Sequence, residues 1–185
     1  MESTLSLEGQ IEELLKFYNK LKSIRIKKGV YKIFGELEFK VISPEIVRGK
    51  FRIEIIVTKK FPKEVPIVKE INEEIPINFH KNDTKTLCLG IETEMKIFLQ
   101  NTPNLLKFVN SFVIPYFYSF KLWRDTGKIP FGERAHSIEG IVEFYKEYLF
   151  LNNIYSILNV LKNVCYKKNL KGYYRCPCRK WKKYK

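Results

Sequence analysis

The sequence predicts an α+β fold, and three observations predict it. Apolar residues recur at helical spacing near the start, alternate as in strands through the middle, and return to helical spacing toward the end. No internal repeat interrupts that order. With 185 residues, of which 45% are hydrophobic, the chain can build one sizeable core, which excludes disorder throughout.

Ile11, Leu14, Leu15, Tyr18 and Leu21 stand three or four residues apart among Glu12, Glu13, Lys16 and Lys20, and predict an amphipathic helix over 8–23. The period then changes. Tyr31 to Ile42 is rich in aromatic and branched residues, and Phe51, Ile53, Ile55 and Val57 alternate with Arg52, Glu54 and Ile56, so two strands are predicted. Ser43, Pro44, Arg48 and Gly49 form the expected hairpin-like connection. A third strand is expected from Ile67 to Ile71, after Pro62 and Pro66. From Pro76 to Thr102 neither period holds, and a long irregular stretch inside a compact domain is more often functional than idle. Thr102 before Pro103 reads as a helix start, followed by Leu105, Leu106, Val109, Phe112 and Val113 on one face. Pro115 should end or kink that helix. After a connection from Arg124 to Arg134, two more helical stretches are predicted at Ile138 to Leu149 and Ile154 to Val164.

The net charge of +14 is concentrated at one end: residues 162–185 hold ten Lys or Arg and no Asp or Glu, leaving 24 basic against 20 acidic residues elsewhere. Such a block is expected to be a solvated end or a contact for an acidic partner or nucleic acid. No run nears the roughly 18 apolar residues of a membrane span, and residues 1–10 lack the order of a secretory signal, so no membrane and a cytoplasmic location are expected. Cys88, Cys165, Cys176 and Cys178 are too few and too unevenly placed for a disulfide framework; they should be thiols, metal ligands or a nucleophile.

Phe61-Pro62-Lys63-Glu64-Val65-Pro66, then His80-Lys81-Asn82, then Thr86-Leu87-Cys88-Leu89-Gly90 resembles, in that order, the ubiquitin-conjugating enzyme (UBC-like) superfamily, in particular its divergent bacterial members. The family's pattern is a helix, a strand meander, a proline turn, a His-Pro-Asn motif and a cysteine between apolar residues. Gly132-Glu133-Arg134-Ala135-His136 and Gly140-Ile141 resemble a further stretch of bacterial members. Three departures stand out: Lys81 replaces the proline, Asn82 precedes Cys88 by six residues where the eukaryotic pattern has about two more, and Gly90 replaces an aspartate.

The resemblance implies a UBC-like fold and a conjugating acyltransferase in which Cys88 carries a protein C-terminal carboxyl as a thioester and passes it to a lysine amine. A thiolate suits that relay because it both attacks and leaves well. In the resembling family the asparagine, here Asn82, donates to the oxyanion or organises the loop, and the histidine, here His80, holds that loop. Stand-alone bacterial members occur in antiphage (CBASS) operons, which implies as donor a cyclic-oligonucleotide synthase, a cGAS/DncV-like nucleotidyltransferase. No glycine-rich nucleotide loop is visible, so the carboxyl must be activated elsewhere.

Two units are expected: a UBC-like domain at 1–161 and a basic tail at 162–185. In the tail, Cys176-Pro177-Cys178 and the lysine-tyrosine-lysine run behind it resemble the front half of the SEC-C zinc motif. A structural zinc needs four ligands, so no cofactor is expected unless the motif is completed beyond Lys185. Three alternatives to the acyltransferase remain at this point. They are an inactive UBC-like binding module with a structural Cys88, a nucleic-acid-associated factor acting through the tail, and a thiol hydrolase with His136 as base.

Overall fold

The computed structural model describes residues 5–42, 45–130 and 137–166. The chain divides into two compact units, residues 1–132 and 133–185. The first is a mixed helix and sheet domain in which α1 (Leu7–Phe17) leads into an antiparallel meander of β1 (Leu21–Lys27), β2 (Val30–Val41), β3 (Val47–Thr58) and β4 (Ile67–Glu70). Then follow α2 (Glu92–Asn101), the single turn α3 (Leu105–Phe108), a π-helical turn at Val109–Val113 and α4 (Ile114–Thr126). In the second unit α5 (Ser137–Leu149) and α6 (Ile154–Tyr166) are joined by a short connection, with Asn153 Oδ1 accepting from the Tyr155 amide at 2.8 Å to cap α6. Among the described residues no helix is long and apolar enough to cross a membrane.

The predicted strands are present because their inward positions fall at every second residue. Phe51, Ile53, Ile55 and Val57 are buried on β3, facing the same side as Ile33 and Leu37 of β2. Phe117 of α4 stacks on Phe51 with ring centroids 4.4 Å apart, and Phe120 meets the same ring edge-on at 5.9 Å. The sheet is thus sealed by aromatic contacts with the helix that also reaches the candidate site.

Five expectations are corrected. The helix predicted over 8–23 ends at Phe17, and Leu21 is the first inward residue of β1, which happens to fall at helical spacing from Leu14 and Tyr18. Arg48 and Gly49 belong to β3, opposite Lys40 and Phe39, and are not part of the connection; Ser43 and Pro44 lie outside the described residues. The stretch from Pro76 to Thr102 contains α2, whose buried Met95 and Leu99 stand four residues apart, too short a pattern to register. Thr102 closes α2, while Asn104 caps α3 by accepting from the Lys107 amide at 2.8 Å. The connection begins at Gly127, since Arg124 is still within α4. Pro115 does not end the run: the turn before it is π-helical, the Ile114 amide bonding the Val109 carbonyl, and Pro115 sits in the first turn of α4.

Polar anchors join α1 and its C-cap residue Tyr18 to the helical segments from Asn104 onward, and Asn104 Nδ2 donates to Glu13 Oε2 at 3.0 Å. Gln10 Oε1, buried, accepts from the Leu105 amide at 2.9 Å, and the Tyr18 hydroxyl donates to Asn110 Oδ1 at 2.6 Å. Burial pushes the Tyr18 phenol from 10.0 up to about 12. A raised acid stabilises the fold wherever the phenol is neutral in both states, so its contribution is complete below pH 10 and is lost as pH rises through about 12. Urea midpoints of the wild type and Tyr18→Phe should therefore converge between pH 10 and 12, and a constant gap across that window would refute the shift.

Candidate functional site

The site grows from the alternation of β4. Val68 and Glu70 stand opposite Ile55 and Ile53 of β3, so register places Glu70 on the inward face, where it is buried. The meander does not stop there. Thr86 pairs with Lys69, the Leu87 amide bonds the Val68 carbonyl at 2.8 Å, and Lys81 pairs with Leu87 in turn. Leu87 is buried, and Lys81, directly across from it, follows it inward. The Lys81 ammonium lies 3.8 Å from Glu70 Oε2 and donates to the Ile75 carbonyl at 3.1 Å; the two side chains are 5% and 0% exposed. Among the described residues neither Glu70 oxygen accepts a hydrogen bond, and the Lys81 ammonium is the cation beside this buried carboxylate.

Residues 80–88 form a tight hairpin around that pair. The Asn82 amide donates to the Thr86 carbonyl at 2.8 Å, the Lys85 amide to the Asn82 carbonyl at 2.8 Å, and Lys85 takes the left-handed conformation the turn needs. The Asn82 side chain closes the loop, Nδ2 donating to Thr86 Oγ1 at 2.9 Å, and Thr84 Oγ1 lies 3.0 Å from the same oxygen. At the base, the Cys88 amide donates to the His80 carbonyl at 2.7 Å.

His80 itself has φ 40, a left-handed value that costs a residue with a β-carbon about 1 kcal/mol or more. Its carbonyl is held from a second direction. The Tyr116 hydroxyl of α4 donates to the Phe79 carbonyl at 3.0 Å and is 3.3 Å from that of His80, while the Phe79 ring packs against Tyr116, Phe120 and Trp123. Burial, then the charges of Cys88 and Glu70, push the Tyr116 hydroxyl well above its ordinary range, so it stays a donor at neutral pH.

The structure therefore brings His80, Asn82 and Cys88 into one hairpin. Cys88 is half-buried, between buried Leu87 and partly buried Leu89, and Gly90 beyond it, at φ 143, has open space around the position a β-carbon would fill. His136 and the pair Cys176 and Cys178 lie outside the described residues, and among the described residues no cluster of His, Cys, Asp or Glu could hold a metal. Cys165, on α6, is an exposed thiol. Sequence reasoning passed over Glu70, Lys81, Thr86 and Tyr116 as site components. Two signals were present: a carboxylate at an inward strand position, and a lysine where the resembling motif has proline.

Removing one partner of a buried pair strands the other charge and costs about 3–5 kcal/mol, whereas removing both is far milder. Lys81→Met and Glu70→Leu should each lower unfolding stability strongly, and Lys81→Met/Glu70→Leu should recover most of the loss. Additive losses in a denaturant double-mutant cycle would show that the two side chains act independently.

No protein-family model and no curated protein sequence matches the chain. Among solved structures, one described as a complex of the Vps23 UEV with ubiquitin superposes with a TM-score of 0.39 at 16% identity, covering 57% of this chain and 76% of that one. At that identity and superposition the likeness assigns neither a family nor an activity.

Proposed function

We propose that the first unit is a UBC-like acyltransferase that carries a protein C-terminal carboxyl as a thioester on Cys88 and transfers it to a lysine amine. The observation that carries the reading is the hairpin at 80–88, which gathers His80, Asn82 and a half-buried thiol in the order of the resembling motif. In the first step the Cys88 thiolate attacks a carboxyl already activated by another enzyme, and the activating group leaves. In the second the neutral amine attacks the thioester, the thiolate departs, and the amine's proton passes to solvent.

Asn82 acts here by organising the loop, since one of its amide hydrogens is committed to Thr86. Backbone and carbonyl bonds through His80 and Tyr116 fix the base of the hairpin, so the thiol is presented from a rigid edge. The departure at Lys81 has a physical counterpart in the buried pair with Glu70. Carried further, the resemblance points to a bacterial antiphage setting with a cyclic-oligonucleotide synthase as the donor. Zinc on Cys176 and Cys178, and nucleic-acid contact through the basic tail, belong to the second unit and are separate from this chemistry.

Intact-mass analysis of protein isolated from its native host tests the assignment. The wild type should carry an adduct removed by thiol reductant, Cys88→Ser an oxyester that survives reductant, and Cys88→Ala none. An adduct that persists on Cys88→Ala, or none on the wild type and Cys88→Ser, would leave a UBC-like binding module instead.

A further inference from the structure

The two edges of the sheet are finished differently. Beyond β4 the ladder continues through the bridge of Lys69 to Thr86 and the bond from the Leu87 amide to the Val68 carbonyl, so the 80–88 hairpin covers that edge. β1 has no strand on its outer side. Among the described residues, its main-chain bond outside the ladder is that of the Leu21 amide to the Tyr18 carbonyl at 2.9 Å, at its first residue. Every second residue of an edge strand turns its amide and carbonyl away from the sheet, so from Lys22 onward β1 offers donors and acceptors to whatever lies beside it.

The side chains restrict what that neighbour can be. Residues 20–28 hold five Lys or Arg and no Asp or Glu. Lys20 is engaged, bonding Glu36 at 3.0 Å and Glu38 at 2.5 Å, whereas Lys22, Arg25, Lys27 and Lys28 form no ion pair among the described residues. Arg25 lies in the field of Glu8, whose carboxylate accepts from the Tyr31 hydroxyl. Like charges set directly opposite weaken a strand pair, so this edge rejects a second copy of itself and any other basic strand. It favours an acidic one. Ile24 and Ile26 stand half exposed among the cations, and an apolar side chain beside Ile24 would cover it. A nucleic-acid backbone answers the charge but brings no amide donors for the free carbonyls of the strand.

Register sets the pattern of the neighbour. The pairing with β2 shifts between Arg25 and Lys27, which interrupts the ladder there and leaves Leu21–Arg25 as the regular stretch. Lys22 and Ile24 stand on one face, opposite Phe34 and Lys32 of β2, and Ser23 and Arg25 on the other, opposite Ile33 and Tyr31. A strand laid along this edge thus meets one free cation on each face. Two acidic residues three positions apart satisfy both, with β-branched residues between them beside Ser23 and Ile24.

We infer that β1 is a docking edge for an acidic, extended segment of a partner protein, which adds to the sheet as a fifth strand along Leu21–Arg25 and sets its carboxylates against Lys22 and Arg25. The inference is independent of the thiol chemistry. The test is fluorescence anisotropy on the full chain with a labelled octapeptide, blocked at both ends, whose centre reads Glu-Ile-Val-Glu. Two unlabelled relatives compete with it: one with glutamines for the glutamates, and one with prolines for the isoleucine and valine, which keeps the charge and loses two amide donors. The acidic peptide should bind at least about tenfold more tightly than either relative and should lose about tenfold in Lys22→Glu/Arg25→Glu, with circular dichroism unchanged. Hydrogen exchange of the wild type should slow over residues 21–25 when the peptide is bound, a readout that holds even where the double reversal disturbs folding. Equal binding of the proline peptide would reduce the contact to charge attraction and overturn the inference. Affinity that survives the reversals, or exchange over residues 21–25 that is unchanged on binding, would place the peptide elsewhere, on the basic tail for instance, and overturn it too.

Discussion

An ammonium with almost no access to water, that of Lys81, faces a carboxylate with none, that of Glu70, and the segment bearing Cys88 is built around the two. Each charge is expensive to bury alone, so the conformations open to residues 80–88 are those that keep them together. Backbone pairing does the rest. Lys81 can reach Glu70 because it stands across from Leu87, and Leu87 stands where the sheet's alternation requires an inward residue. The charge pair and the ladder thus select the same register, and the thiol follows immediately after it.

Rigidity on one side of the hairpin coexists with access on the other. Tyr116, Phe79, Phe120 and Trp123 lock the base of the loop to α4 through ring packing and carbonyl contacts. Beyond Cys88 the chain meets Gly90 and open space before α2 begins. The nucleophilic role proposed for Cys88 would draw on that division, because a fixed backbone lowers the entropy lost on reaction.

The long elements were legible because each repeats its period several times. β2 and β3 pair over twelve residues apiece and show alternation on both, and α5 and α6 span thirteen each. Short elements gave too few repeats. β1 was absorbed into the preceding helix because Leu21 satisfies both periods, and α2 begins at Glu92 behind Ile91, which offers no side-chain cap to mark it. Thr102 and Asn104 are both good capping residues two positions apart, and only the packing of α3 against α1 through Gln10 decides which is used.

For the site, Cys88, Asn82 and His80 were legible as an ordered set of residue types in a stretch without strong periodicity. Local bonding in the hairpin explains why that was possible, since turn chemistry is written within a few neighbouring residues. What the sequence by itself determined is the α+β order, the inward faces of the long strands, the basic end and the candidate thiol. Only the tertiary structure decided that Glu70 and Lys81 are partners and that Tyr116 secures His80. Those facts depend on residues eleven and thirty-six positions apart being brought together by strand register and helix packing. No local pattern of residues encodes such distances.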